Sequence, residues 1–183
     1  VDLNENIYIA DTGNHRIRRV DFSTGIITTV AGNGESVFSG DGGPATNAGV
    51  PFPSDVKVTL QGNIVITSPI DNRVRMIDAN TGIITTIAGD GRFSLAGDDG
   101  PAVNASLKSP SAITSDNQGN ILIADTENHR IRTVGSVGSI VSTPTPTPTA
   151  IYTPPTYTPT PTATPILPPT PTPSPPTLTP TPV

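Results

Sequence analysis

From Val1 to about residue 142, apolar positions tend to alternate with polar ones at a period of two, in short runs bounded by Gly, Asn, Asp and Pro. The middle of this stretch shows the pattern best, with runs at 56–59, 64–67, 74–78 and 83–88. Gln61-Gly62, Asp71-Asn72 and Asn80-Thr81-Gly82 separate them. Gaps this short suit tight turns, because Asn and Gly tolerate positive φ. Four short antiparallel strands in a meander are predicted, the make-up of one propeller blade. Residues 89–109, rich in Gly, Asp and Ala, then read as a loop crossing to the next blade.

The pattern recurs. Asn6-Ile7-Tyr8-Ile9 returns as Asn63-Ile64-Val65-Ile66 and as Asn120-Ile121-Leu122-Ile123. Thr24-Gly25-Ile26-Ile27-Thr28-Thr29 returns unchanged at 81–86, and Pro53-Ser54 returns as Pro110-Ser111. Gly40-Asp41-Gly42-Gly43-Pro44-Ala45 returns as Gly97-Asp98-Asp99-Gly100-Pro101-Ala102. Every offset is 57 residues, without a gap, which marks a repeat architecture. The run at 6–18 resembles the NHL repeat, and 120–132 resembles it equally well. The Thr-Gly-Ile-Ile-Thr-Thr-Val-Ala-Gly and Gly-Asp-Gly-Gly-Pro-Ala segments are similar to the long-repeat variant found in extracellular and surface proteins.

The resemblance implies an all-β chain with one propeller blade per repeat, where closed propellers of the family have about six. Here 1–142 supplies about two and a half blades (1–53, 54–110 and 111–142), open unless more chain or a neighbouring copy completes them. Val1-Asp2-Leu3 reads as the end of a first strand. Ile140-Val141-Ser142-Thr143 aligns on 83–86 as the fourth strand of the third repeat. Open blade edges invite a donor, so copies of the chain are expected partners, in a non-closing arrangement that gives fibrils or oligomers.

Composition divides the chain in two. All charges and both histidines precede Thr143, and 31 of the 41 residues from Thr143 to Val183 are Pro or Thr. Alternating Thr-Pro predicts an extended polyproline II stalk over 143–183, on the order of 130 Å at full length. Such tracts are the signature of mucin-like O-glycosylated stalks and resemble hydroxyproline-rich wall glycoproteins; a bare linker is the alternative. The O-glycosylation candidates are Thr143, Thr145, Thr147, Thr149, Thr153, Thr156, Thr158, Thr160, Thr162, Thr164, Thr170, Thr172, Ser174, Thr177, Thr179 and Thr181. Hydroxyproline candidates are Pro144, Pro146, Pro148, Pro159, Pro161, Pro171 and Pro173. Asn104-Ala105-Ser106 is an N-glycosylation acceptor.

The net charge of −5 argues against nucleic acid. No apolar run reaches 18 residues, so no membrane span is expected, and no cysteine supplies a disulfide. The chain opens on Val1 without a leader and is read as a processed or partial chain.

Candidate chemistry is sparse. His15 and His129 are equivalent, and Asn72 stands between them, so a turn role is expected rather than a metal or catalytic one. Asp11 and Asp125, with Ser68 between, are expected to take backbone N–H groups of the turn that follows. Arg16, Arg73 and Arg130 lie two residues from Arg18, Arg75 and Arg132 and are expected to be solvated or Asp-paired, with an anionic-sugar stripe as the lesser reading. The Gly-Asp loops hold too few carboxylates for a Ca²⁺ site. Some NHL propellers are lyases, but the deviations from the repeat (Lys57, Ser68-Pro69, Met76) suggest no chemistry. The expectation is a non-enzymatic, cofactor-free extracellular or cell-surface structural glycoprotein; the alternative is a protein- or glycan-binding propeller module on a Pro-rich spacer.

Overall fold

The computed structural model describes residues 1–135, which form three antiparallel sheets. Blade 1 consists of β1 (Ile7–Asp11), β2 (Arg16–Val20) and β3 (Ile27–Ala31). Blade 2 is a four-stranded meander of β4 (Asp55–Val58), β5 (Ile64–Ser68), β6 (Arg73–Ile77) and β7 (Ile84–Ala88). Blade 3 has β8 (Pro110–Ser115), β9 (Ile121–Asp125) and β10 (Arg130–Val134). The 57-residue register is kept in the pairing: Ile7 lies opposite Val20, Ile64 opposite Ile77, and Ile121 opposite Val134. The fold is all-β and propeller-like. The expected fourth strand at 140–143 and the stalk lie outside the described residues.

Residues 1–3 form no strand. Asp2 instead closes a turn, accepting at Oδ1 from the Asn4 and Asn6 main-chain N–H groups and at Oδ2 from Asn6 Nδ2. Asp116, two periods later, builds the same turn with Gln118 and Asn120. Val1 thus sits just outside this turn, and among the described residues no strand pairs with the outer edge of β1.

Local chemistry fixes the other hairpins. Asp21 and Asp78 each accept from the N–H and Oγ1 of the Thr three residues on, an Asx turn that directs the chain back into β3 and β7. A bulge interrupts the β2–β3 pairing at Ile17/Arg18 and the β6–β7 pairing at Val74/Arg75. Gly32 and Gly89 follow β3 and β7 at φ 91° and 93°, where a Cβ would land on the carbonyl oxygen of His15 or Asn72. Only glycine permits that approach.

The core lies between blades rather than within them. One cluster (Ile17, Ala31, Ala45, Val50, Ile66, Ile77, Ile84) joins blade 1, its crossing loop and blade 2. The other joins blades 2 and 3 through Val65, Val74, Met76, Leu107, Ile113, Ile121, Ile123 and Val134. Successive residues of β5 therefore serve opposite interfaces, Val65 towards blade 3 and Ile66 towards blade 1. Blade 2 is covered on both faces, and Val65–Ser68 are all buried. Met76, which broke the repeat, fills core.

Candidate functional site

The polar residues that recur every 57 positions converge on the seams where one blade and its crossing loop meet the next. His15, Asn72 and His129 all adopt the left-handed conformation, with φ of 54°, 54° and 53°. His15 and His129 each close a single 3-10 turn, Thr12–Asn14 and Thr126–Asn128. The side chain of the first two reaches the next blade: the Phe52 N–H donates to His15 Nδ1 at 3.2 Å, and the Ser109 N–H donates to Asn72 Oδ1 at 3.0 Å. Both donors lie 37 residues on and themselves have positive φ. His and Asn interchange here because each offers one acceptor at the same place. The turn role is confirmed.

The arginines clamp the crossing loops. Arg75 is 1% exposed. Its Nε donates to Asp41 Oδ1 at 2.8 Å, its Nη1 to the Gly49 carbonyl at 2.8 Å and its Nη2 to the Ser39 carbonyl at 3.0 Å. Arg132 repeats this with Asp98 at 2.6 Å and the carbonyls of Ser106 and Ala96. Asp41 also accepts from the N–H and Oγ1 of Thr86 on β7, tying the loop to the outer strand. Arg16 and Arg73 hold the carbonyls of Asn33 and Asp90. Asp41 and Asp98 therefore neutralise arginines, and among the described residues no group of carboxylates or histidines could hold a metal ion. Arg73, Arg75 and Arg132 are thus committed internally, and Arg130 pairs with Asp98 at 3.4 Å.

The aspartates require a correction. Asp125 is fully buried. Its backbone donor is not in the turn that follows but is the Lys108 N–H of the crossing loop, at 2.7 Å. Its turn partner is a side chain, Asn128 Nδ2, at 2.8 Å; Asp11 takes Asn14 Nδ2 in the same way. In blade 2 both members change, to Ser68 and Asp71. The residue equivalent to Lys108 is Pro51, which has no N–H to give. Both Asp71 carboxylate oxygens are buried without a hydrogen-bond partner. Burial pushes this carboxyl up from 3.8 to about 7, outweighing the guanidinium groups of Arg73 and Arg75.

Among the described residues no other blade covers the outward face of blade 1. Ile9 is 39% and Ile27 48% exposed, whereas their counterparts Ile66 and Ile84 are 1% and 0% exposed against blade 1. On blade 3, Ile131 is 50% exposed where Val74 is fully buried. Asn104 is exposed at the end of the Ala102–Asn104 turn, while Ser106 of its acceptor motif is buried and bonded to Asp90. The stalk candidates, Thr143 to Thr181 and Pro144 to Pro173, lie outside the described residues.

Sequence reasoning missed the Asp41–Arg75–Thr86 clamp and the misfit at Asp71. A signal existed for the second: the pair Asp-x-x-Asn at 11–14 and 125–128 becomes Ser-x-x-Asp at 68–71.

These seams carry a known signature. Residues 107–133 match the NHL repeat. Residues 50–76 stand one 57-residue period earlier. The chain is 31% identical over 138 residues to protein SUPPRESSOR OF QUENCHING 1, chloroplastic, of Arabidopsis thaliana, an alignment covering 72% of this chain and 13% of that protein. A solved protein of unknown function from Bacteroides thetaiotaomicron is similar in fold at a TM-score of 0.62 and 22% identity, over 72% of this chain and 32% of that one. An auxiliary nutrient binding protein from Bacteroides ovatus is similar at 0.57 and 25% identity, over 70% and 34%. The chain thus spans about a third of the length of those solved chains and 13% of the Arabidopsis protein.

Proposed function

We propose that this chain is a non-enzymatic NHL binding module that docks through the outward face of blade 1, held on a Thr/Pro spacer outside the cell. The observation that carries the reading is the unequal exposure of equivalent residues: Ile9 and Ile27 are open where Ile66 and Ile84 are sealed. Burying one such side chain is worth about 1.5–3 kcal/mol, so the open face of blade 1 is a ready interaction surface. The internal commitment of His15, the buried aspartates and the arginine clamps supports recognition over catalysis. The solved nutrient binding protein gives the fold a precedent as a binding protein. Among the described residues no helix is long and apolar enough to cross a membrane.

A photo-crosslinker placed at residue 9 or 27 tests the docking reading against one at residue 80, on an exposed outer turn. Adducts specific to the face positions are expected, and equal or absent adducts would remove the reading.

A second reading, a structural glycoprotein of a surface, wall or fibril, is favoured by the stalk composition. O-glycans on Thr143–Thr181, hydroxylation at the candidate prolines and a glycan on Asn104 belong to it. Its measure is the intact mass of the chain from its native host, and a mass equal to the bare polypeptide would count against it.

A further inference from the structure

We infer that the cleft between blades 1 and 2, lined by Tyr8, Thr59 and Gln61, is a binding site for one neutral sugar ring. The inference is independent of the docking reading. It concerns the face of blade 1 turned towards blade 2, where Ala10 and Ile17 pack, and not the face that carries Ile9 and Ile27.

The cleft has a volume of about 230 Å³ and lies where the β4–β5 turn meets the turn that leads into β1. That second turn is built by Asp2 and recurs inside the chain at Asp116. Two of the lining residues break the repeat. Tyr8 stands in the place of Val65 and Leu122, and Thr59 in the place of Asp2 and Asp116. Asp2 and Asp116 commit their carboxylates to N–H groups of their own turns. Thr59 does not. Its turn closes through main-chain bonds, from the Thr59 N–H to the Asn63 carbonyl and from the Gly62 N–H to the Thr59 carbonyl, both at 2.9 Å. Thr59 is 8% exposed, and among the described residues its buried Oγ1 has no hydrogen-bond partner. A buried hydroxyl left unmet is destabilising, and a valine would fill the same space without that cost. Two departures from a gapless repeat thus converge on one cleft, and one of them is a hydroxyl able to donate and to accept.

Charge, size and polarity of the walls select the ligand. The carboxylate of the cleft, Asp2, already accepts from the Asn4 and Asn6 N–H groups, Asn6 Nδ2 and Tyr8 Oη. No lysine or arginine lines the cleft, and Arg19, opposite Tyr8 on β2, is paired with Asp21. A charged ligand would find no free counter-ion there. At roughly 30 Å³ per water the space holds about seven or eight waters, which suits one ring and not a chain. Leu3, Val58 and Leu60 supply apolar wall, and the Thr59 hydroxyl and Gln61 amide supply donors and acceptors. A pyranose divides in the same way, into C–H faces and a rim of hydroxyls. A purely apolar ligand would leave Thr59 Oγ1 unmet.

The test is a titration of the full chain, read from the amide NMR shifts of residues 58–62. The probes are the methyl pyranosides of glucose, galactose, mannose and N-acetylglucosamine, with sulfate and benzene as the charged and the apolar comparison. At least one glycoside should shift these signals with a Kd in the millimolar range. Thr59→Val keeps the shape and removes the hydroxyl. It should weaken that binding about fivefold or more and leave the urea midpoint unchanged or higher. Thr59→Ser keeps the hydroxyl and should bind as the native chain does. Gln61→Ala should weaken binding, whereas Gln118→Ala, at the equivalent position of blade 3, should not. The inference is overturned if no glycoside shifts residues 58–62, or if sulfate or benzene binds there more tightly than every glycoside. Native affinity in Thr59→Val, or equal losses in Gln61→Ala and Gln118→Ala, overturns it as well. Crosslinking at residues 9 and 27 reads the other face, so neither result decides the other.

Discussion

Replacing Asp71 by Asn should stabilise this protein, and by more as the pH rises. The two neighbouring repeats place Asn14 and Asn128 at this position, and Asn128 Nδ2 donates both to Asp125 and to the Ser94 carbonyl at 3.0 Å. Asp71 has buried oxygens without a hydrogen-bond partner, and burial outweighs the Arg73 and Arg75 guanidinium groups to push its carboxyl up to about 7. A raised carboxyl binds its proton more tightly in the folded than in the unfolded chain. Its contribution is then fully present below about 4 and is lost as the pH climbs through 7. Between those values each pH unit costs about 1.4 kcal/mol, so from pH 5 to pH 8 the native protein should lose at most ~2.6 kcal/mol, and about half that once relaxation and water are allowed for. The Asn variant loses none of this. Every other titrating group is shared, so the difference between the two proteins isolates Asp71. Urea denaturation of the full chain and of Asp71→Asn at pH 5 and pH 8 provides the measurement. If the stability gap between the two is the same at both pH values, the carboxyl is not buried in the way argued here.

Three further pairs of substitutions probe the seams. His15→Asn should leave stability within about 0.5 kcal/mol, whereas His15→Ala should cost about 1 kcal/mol by stranding the Phe52 N–H; chemical denaturation distinguishes them, and equal losses would refute the shared-acceptor account. Gly89→Ala, at φ 93° against the Asn72 carbonyl, should cost more than about 2 kcal/mol. Gly13→Ala, with nothing near its Cβ, should be almost silent by the same chemical denaturation. Arg75→Ala leaves Asp41 and two carbonyls without their cation and should cost about 3–5 kcal/mol. Arg92→Ala, on a side chain 83% exposed, should cost under about 0.5 kcal/mol.

Much of this was legible in the sequence. Period-two alternation located β4 to β7 within two residues of their ends, and the 57-residue offset carried that reading to the other blades. Equivalent positions with different side chains, His15 and Asn72, pointed to geometry rather than chemistry. What remained hidden depends on contacts between repeats. Asp41 and Arg75 lie 34 residues apart, and nothing along the chain announces that the Gly-Asp loop folds back onto the next blade's third strand. The backbone donor to Asp125 lies 17 residues earlier, across a loop, so local Asx-turn logic pointed to the wrong place. Residues 1–3 matched the end of a strand in sequence, but a strand exists only where a neighbour pairs with it.

The blade 2 exchange at 68 and 71 makes a last prediction from the chain's own internal variation. In blade 3, three features act together: the carboxylate of Asp125, the Asn128 side chain that donates to it, and the Lys108 N–H that donates from the loop. Blade 2 has none of them, since Ser68, Asp71 and Pro51 occupy the three places. Ser68 is 1% exposed, so Ser68→Asp alone would bury a second carboxylate beside Asp71 with no N–H to meet it. A loss of at least about 2 kcal/mol is expected. Adding Asp71→Asn restores the side-chain pair seen twice elsewhere and should recover much of it, a coupling of about 1–3 kcal/mol. Pro51→Lys on top of both supplies the missing N–H and should recover about 1 kcal/mol more. The same order of stabilities must appear in the denaturation midpoints of the three variants. A tolerated Ser68→Asp, or a double variant no better than the single, would show that the three positions do not act as a unit and that the blades are held by their apolar seams alone.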